Sequence, residues 1–299
     1  MSSVPDTGDT PRGFALALVA YGLWGFMPLY MKALAHVPTV EVLAHRVIWS
    51  VPVALAILVW LGRTGDLMRA LRTPRMLAMA GVTALLVSFN WGVYVYAIQS
   101  GQALEAALGY YINPLFSIFM GRVLLGERLD GLQWGAVALA ALAVVVLTWD
   151  AGRLPVVALA LTLSWGFYAY FKRSLPIGPN QGFALEVLLL LPFALAGAGW
   201  LMWTDQASFL QGVARDDLLL LGCGVVTAVP LMIYANAAKG LRLSTIGVMQ
   251  YIAPTIVFLL AVFRFGEPFG SARMVAYPMI WGALVLYSVA LVRKAQRLR

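Results

Sequence analysis

The chain has 299 residues, 62% of them hydrophobic and only 11% charged, with a mean hydropathy of +0.84 and a formal net charge of +8. Soluble domains run to about 45–50% apolar and ~25% charged residues, so this apolar surplus requires lipid to cover it and excludes an ordinary water-soluble domain. The one cysteine, Cys223, lies in an apolar run, which excludes a disulfide framework or a thiolate metal site within one chain and leaves a small buried hydrophobe.

Residues 1–12 are polar and carry Asp6 and Asp9, unlike the basic start of a cleavable signal. They are expected to form a disordered cytoplasmic tail, and the first apolar run is expected to stay in the protein as a helix. A span needs about 20 mostly apolar residues, because the hydrocarbon core is ~30 Å thick and a helix rises ~1.5 Å per residue. On that criterion the apolar runs predict helices at 13–34, 40–61, 76–98, 103–124, 131–149, 154–174, 180–203, 216–238, 244–264 and 273–292, followed by a basic cytoplasmic tail at 293–299. The fold class expected is therefore an all-α polytopic membrane protein of ten transmembrane helices, with no loop long enough for a soluble domain.

The basic residues test that count. With the N-terminus cytoplasmic, 15 of the 21 Lys and Arg residues fall on the cytoplasmic side: Arg12, Arg63, Arg69, Arg72, Arg75, Arg122, Arg128, Lys172, Arg173, Lys239, Arg242, Arg293, Lys294, Arg297 and Arg299. Five fall opposite (Lys32, Arg153, Arg215, Arg264 and Arg273), and Arg46 lies inside a span. This is the positive-inside bias expected of short loops, and it accounts for the net charge without any nucleic acid. Both termini are expected to be cytoplasmic.

The chain also repeats. Tyr111-Ile112-Asn113-Pro114 returns as Tyr251-Ile252-Ala253-Pro254 at an offset of 140, as do Gly126-Glu127 (Gly266-Glu267) and Tyr94 (Tyr234). Trp24-Gly25-Phe26 returns as Trp165-Gly166-Phe167 at 141. Each repeat, 13–149 and 150–292, holds five predicted helices, an odd number, so the second must be inverted relative to the first. Inverted repeats are the signature of alternating-access carriers, with substrate bound near the midplane where the halves meet.

Motifs for catalysis are missing. No P-loop, H-E-x-x-H or G-x-S-x-G occurs, and His36 and His45 are the only histidines. No metal, cofactor or catalytic residue is expected. The pair Asp216-Asp217 reads as a solvated helix start. Polar groups inside spans normally face the bundle interior or a watery cavity. This singles out His45, Asn90, Asn113, Asn236 and Gln250 as substrate-orienting groups, each of which could equally be a packing hydrogen bond. Tyr110, Tyr111, Trp165, Tyr168 and Tyr251 would supply aromatic walls, suited to a flat amphipathic ligand. Pro28, Pro114, Pro230 and Pro254 each free a backbone carbonyl and permit a kink.

Arg46 and Glu186 occupy equivalent repeat positions, which invites an ion pair. Each lies roughly 8–9 Å inside its span, but the two spans start from opposite faces, leaving the side chains roughly 12 Å apart along the normal. Separate roles follow: snorkelling, or polar elements of two opposite gates, with Glu186 the only acidic residue well inside a span and so the one obvious proton carrier.

The stretches HRVIWS at 45–50, LEAALGYYINPL at 104–115, GER at 126–128 and STIGVMQYIAPTIVFLLAV at 244–262 carry a family resemblance. The chain resembles the drug/metabolite transporter superfamily and, within it, the RarD-type members of the EamA group, over roughly residues 12–292. The resemblance implies ten helices, cytoplasmic termini, a bacterial inner-membrane location and export of amino acids, related metabolites or drugs. Small-molecule substrates and membrane lipids are the partners expected. A nonspecific, chloramphenicol-like drug permease and a channel-like facilitator are the alternative readings, and an intramembrane enzyme would need clustered acids or histidines that the sequence does not show.

Overall fold

A computed structural model of the chain describes residues 10–125, 129–237, 240–241 and 243–297; residues 1–9 of the expected tail, the GER motif and the basic residues Lys239, Arg242 and Arg299 lie outside them. The described residues contain helices and no strand. In chain order the helices are α1 (Pro11–Ala33), α2 (Thr39–Trp60), α3 (Thr64–Leu71), α4 (Pro74–Gln99), α5 (Ala103–Leu125), α6 (Gly131–Ala151), α7 (Val156–Ser174), α8 (Pro179–Trp203), α9 (Ala214–Ala237), α10 (Leu243–Met249), α11 (Ile252–Leu259, running into a wide turn at Leu260–Arg264) and α12 (Ser271–Arg297). Every one of the ten predicted segments is helical. Among the described residues seven helices, α1, α2, α4, α6, α8, α9 and α12, are long and apolar enough to cross a membrane, and the helical stretches Val156–Lys172 and Ile252–Arg264 are shorter apolar ones. The chain is a polytopic α-helical membrane protein.

Two elements differ from expectation. The connection at 62–75 folds into α3, which buries Leu67 and Ala70 and turns Thr64, Asp66 and Arg69 outward. The predicted helix 244–264 is broken at Gln250-Tyr251. Pro254 stands at the third position of α11, where its missing N–H costs nothing, and the break absorbs the clash that its ring would make with a continuous preceding turn. Pro114, in the matching repeat position, stays inside the continuous α5.

Local chemistry fixes the helix ends. Pro11, Pro74 and Pro179 open α1, α4 and α8 at the first helical position. Thr10 caps α1, its Oγ1 accepting from Gly13 N at 3.0 Å. Asp130 and Gln133 form a reciprocal capping box on α6, at 2.8 and 3.1 Å, and left-handed Gly152 (φ 62°) ends that helix. The start of α5 is held from far along the chain: Glu267 accepts from Ala103 N at 2.6 Å and Leu104 N at 2.9 Å. Changing Glu267 to alanine exposes two first-turn N–H groups and removes a negative charge from a helix N-terminus. We expect a loss of about 1–3 kcal/mol, read as a lower unfolding temperature in detergent, with Glu267→Gln intermediate.

The residues gather into two compact units. One comprises Met1–Gly25, Gly101–Gly166 and Asn236–Arg299; the other comprises Phe26–Ser100 and Phe167–Ala235. Neither is a sequence half, and the chain passes from one unit to the other at Gly25-Phe26 and again at Gly166-Phe167, inside the two Trp-Gly-Phe repeats. In the first unit α6 packs along α12 and α5 along α11; in the second α2 packs along α8, with α4 and α3 also against α8. Each of these three main pairs joins helices about 140 residues apart. Pro52 of α2 and Pro192 of α8 stand at that same offset.

Small residues set the closest approaches. In the first unit a Cβ on Gly109 would lie 2.7 Å from the Ala158 carbonyl, and Thr162 Oγ1 donates to Gly109 O at 2.9 Å across the same α5–α7 contact. In the second, Gly222-Cys223-Gly224 lets α9 approach Tyr30 and Trp49, and Cys223 is fully buried.

Candidate functional site

In the first unit the polar and aromatic candidates gather on α5, α7 and the α10–α11 break. Asn113 is buried, and its Oδ1 has no hydrogen-bond partner among the described residues. An orphaned buried acceptor costs about 1–3 kcal/mol, so it marks a place where a donor is wanted. Across from it stands Gly166: a Cβ there would lie 2.4 Å from the Phe116 ring and 3.7 Å from Asn113 Oδ1. The Tyr110 and Trp165 rings, both half-buried, meet edge to face at 6.5 Å and 88°. Gln250 and Tyr251 are half-buried at the break itself. Tyr111 faces another way. It is 1% exposed, bonds Thr255 Oγ1 at 2.7 Å and lies edge-on to Tyr277, a packing position. Asn236, near the end of α9, is exposed.

In the second unit Arg46 and Glu186 have different partners. Arg46 is buried, donates from Nε to Thr227 Oγ1 at 3.1 Å and lies with its guanidinium carbon 4.9 Å from the Trp91 ring centroid. The Trp91 face shields the cation while giving it a favourable quadrupole. Glu186 is fully buried and accepts from Lys172 Nζ at 2.5 Å and from the Tyr168 hydroxyl at 3.3 Å. The short connection between α7 and α8 brings Lys172, near the end of one helix, back over Glu186, two turns into the next; Gly182 leaves room, since a Cβ there would lie 3.0 Å from Lys172 Nζ. Asn90 is fully buried on α4. His45 is enclosed by packing: its Nδ1 accepts from Trp49 Nε1 at 2.9 Å and its ring lies 4.5 Å from that of Phe209.

Sequence reading missed several polar contacts. Lys172 was assigned to a cytoplasmic helix end, and Asp216 to a solvated one; Asp216 is instead buried, 2.7 Å from His36. Glu41 on α2 accepts from Ser208 N and Phe209 N at 2.8–2.9 Å. Its counterpart at offset 140, Gln181 on α8, donates to Asp66 of α3 at 3.3 Å. Each therefore grips the segment that follows the other helix. The offset that exposed the repeat, extended to this pair, would have flagged both residues. Among the described residues no group of three His, Cys, Asp or Glu side chains is placed to hold a metal.

Residues 11–149 match the EamA-like transporter family. An uncharacterized transporter of Vibrio cholerae is 43% identical over 97% of this chain and 96% of its own length. The protein RarD of Escherichia coli K12 is 39% identical over 94% of this chain and 95% of its own length, and the chloramphenicol-sensitive protein RarD of Pseudomonas aeruginosa is 32% identical over 96% and 97%. A crystal structure of 20% identity aligns over 94% of this chain and 98% of its own, with a TM-score of 0.61, a likeness of fold alone.

Proposed function

Because the chain belongs to the EamA-like transporter family, as a RarD-type member of the drug/metabolite transporter superfamily, we propose that it is an alternating-access carrier that exports small metabolites across the bacterial inner membrane, with amino acids the leading substrate class. Asn113 carries this reading: a buried acceptor without a partner among the described residues, beside the Tyr110–Trp165 pair and opposite Gly166, suits an ammonium or amide N–H held against an aromatic wall. The broken segment at Gln250-Tyr251 supports it, since interrupted helices in inverted-repeat carriers present backbone groups to substrate and ion. The packing of α2 on α8, α5 on α11 and α6 on α12 supports ten spans in two inverted repeats, and the 15-to-5 bias of Lys and Arg supports cytoplasmic termini. Asn236, Gln250 and Tyr251 are further proposed substrate-binding residues of the first unit; in the second, Asn90 and Tyr168 are proposed substrate-binding residues, and Arg46 and Glu186 gating ones.

The test is counterflow of labelled amino acids and of chloramphenicol into proteoliposomes of the purified protein. Saturable uptake of particular amino acids, reduced at least about tenfold by Asn113→Ala and by Trp165→Ala, is the result expected, since one charge-assisted hydrogen bond or stacking contact is worth about 1.4 kcal/mol or more. Uptake of chloramphenicol alone would favour a drug permease. Nonsaturable flux would favour a facilitator, and no uptake by folded protein would sink the amino-acid reading.

A further inference from the structure

The first unit contains a cavity of about 270 Å³ at the level of its helix ends, lined by residues other than those around Asn113. It is lined by the start of α5, the end of α6, the α6–α7 connection and the start of α12, where Tyr277 donates its hydroxyl to Leu104 O at 2.6 Å. Four charged side chains line it: Glu105 of α5, Asp150 of α6, Arg153 of the α6–α7 connection and Arg273 of α12. Leucine side chains fill much of the remaining wall. Among the described residues no ion pair joins any of the four; the three ion pairs found lie elsewhere. Arg273 is anchored by one nitrogen on the Pro268 carbonyl at 2.5 Å, which fixes its fork and leaves its other donors available.

Two carboxylates and two guanidinium groups that face one cavity without neutralising one another make a site of zero net charge and strong internal polarity. A simple anion would meet the carboxylates, and a simple cation the guanidinium groups, so each is penalised as much as it is attracted. A small dipolar molecule satisfies both pairs at once. We propose that this cavity binds a zwitterion, its ammonium group held by Glu105 and Asp150 and its anionic group by Arg153 and Arg273. The volume suits a molecule of amino-acid or phosphoethanolamine size, and the leucine wall accommodates its carbon skeleton. Placement among helix ends puts the mouth at the depth of the lipid headgroups, so the same chemistry can be supplied from the membrane by phosphatidylethanolamine or from solution by a free amino acid. The site is independent of Asn113, and binding at either can fail without the other.

The experiment measures thermal unfolding of the full-length protein in detergent against glycerophosphoethanolamine, L-leucine, ethanolamine and glycerol 3-phosphate, with native mass spectrometry of lipid retention from mixed phosphatidylethanolamine and phosphatidylglycerol. Saturable stabilisation by a zwitterion but not by the purely cationic or purely anionic control is expected, with the apparent Kd weakened at least about tenfold by Glu105→Gln and by Arg153→Gln, each of which removes one charge-assisted contact. Stabilisation by glycerophosphoethanolamine is expected to be the same in Asn113→Ala. Selective retention of phosphatidylethanolamine, lost in Arg153→Gln, identifies the lipid as the source; stabilisation by L-leucine without lipid selectivity identifies a soluble zwitterion. The proposal is overturned if no zwitterion stabilises the native protein, if ethanolamine or glycerol 3-phosphate does so equally, or if Glu105→Gln and Arg153→Gln bind as the wild type does.

Discussion

Lys172→Met is expected to destabilise the protein by about 3–5 kcal/mol, because it leaves the Glu186 carboxylate buried without its cation. Glu186 is fully buried and the Lys172 side chain is 19% exposed, so solvent does little to screen the loss. At roughly 2–4 °C per kcal/mol, unfolding in detergent should begin about 10 °C lower. Glu186→Gln should cost less: the amide oxygen still accepts from Lys172, the amide nitrogen can donate to the Tyr168 hydroxyl oxygen, and an ammonium on a flexible stem close to a helix end can swing toward water. The decisive variant is the double one. Lys172→Met with Glu186→Leu replaces the ion pair by apolar groups of similar volume, and such replacements are often neutral or stabilising, so the double variant should recover most of what the single one loses. If Lys172→Met unfolds like the wild type, the ion pair contributes nothing to the fold. If the double variant folds yet transports without the pH dependence of the wild type, Glu186 carries the coupling proton.

That pair also shows what a sequence can and cannot disclose. The helices were readable because apolar runs of about 20 residues suit a membrane span, while their number as spans rests on the Lys and Arg bias. The repeat was readable because Tyr111-Ile112-Asn113-Pro114 and Tyr251-Ile252-Ala253-Pro254 preserve their spacing. The fate of those two prolines was not. Pro114 is accommodated within α5 while Pro254 begins a new helix, and the difference lies in what packs around each, which periodicity does not encode. Depth arguments gave Arg46 and Glu186 separate environments, but their partners, Thr227 with Trp91 and Lys172 with Tyr168, depend on which helices are neighbours. Asn113 was picked by polarity and depth. Nothing in the sequence distinguishes it from Asn90 or Asn236; only in the structure does its buried oxygen want a donor while Asn236 is exposed. Glu41 escaped attention at a predicted span boundary, where a carboxylate is unremarked, and Glu267 entered only as a repeat position, although both hold backbone N–H groups of segments more than 160 residues away.

Gly224→Ala is expected to abolish folding, and two other glycines calibrate the prediction. A Cβ on Gly224 would lie 2.1 Å from both the carbonyl carbon and the oxygen of Trp49, so the obstacle is the α2 backbone itself. No rotamer change relieves it. Relief needs α9 to move away from α2, which would also stretch the Ser50 Oγ contact to Gly224 O, already 3.5 Å, and strain the Arg46–Thr227 hydrogen bond. Overpacking that a side chain can relieve costs about 1–3 kcal/mol, and a clash with rigid backbone should exceed this. Gly222, one turn-face away on the same helix, is the milder case: its Cβ would meet the Tyr30 hydroxyl at 2.5 Å, the end of a side chain that can shift at the expense of its bond to Leu219 O. Gly81 on α4 has nothing within 4 Å of the added methyl, and alanine there should be neutral or stabilise by up to about 1 kcal/mol through helix propensity. Expressed side by side and followed by size-exclusion chromatography of a fluorescent fusion, the three should rank Gly81→Ala at or above wild type, Gly222→Ala reduced and Gly224→Ala without a monodisperse peak. A folded Gly224→Ala protein would mean that α2 and α9 do not meet backbone to backbone, and with that contact the buried environment of Arg46 would have to be redrawn.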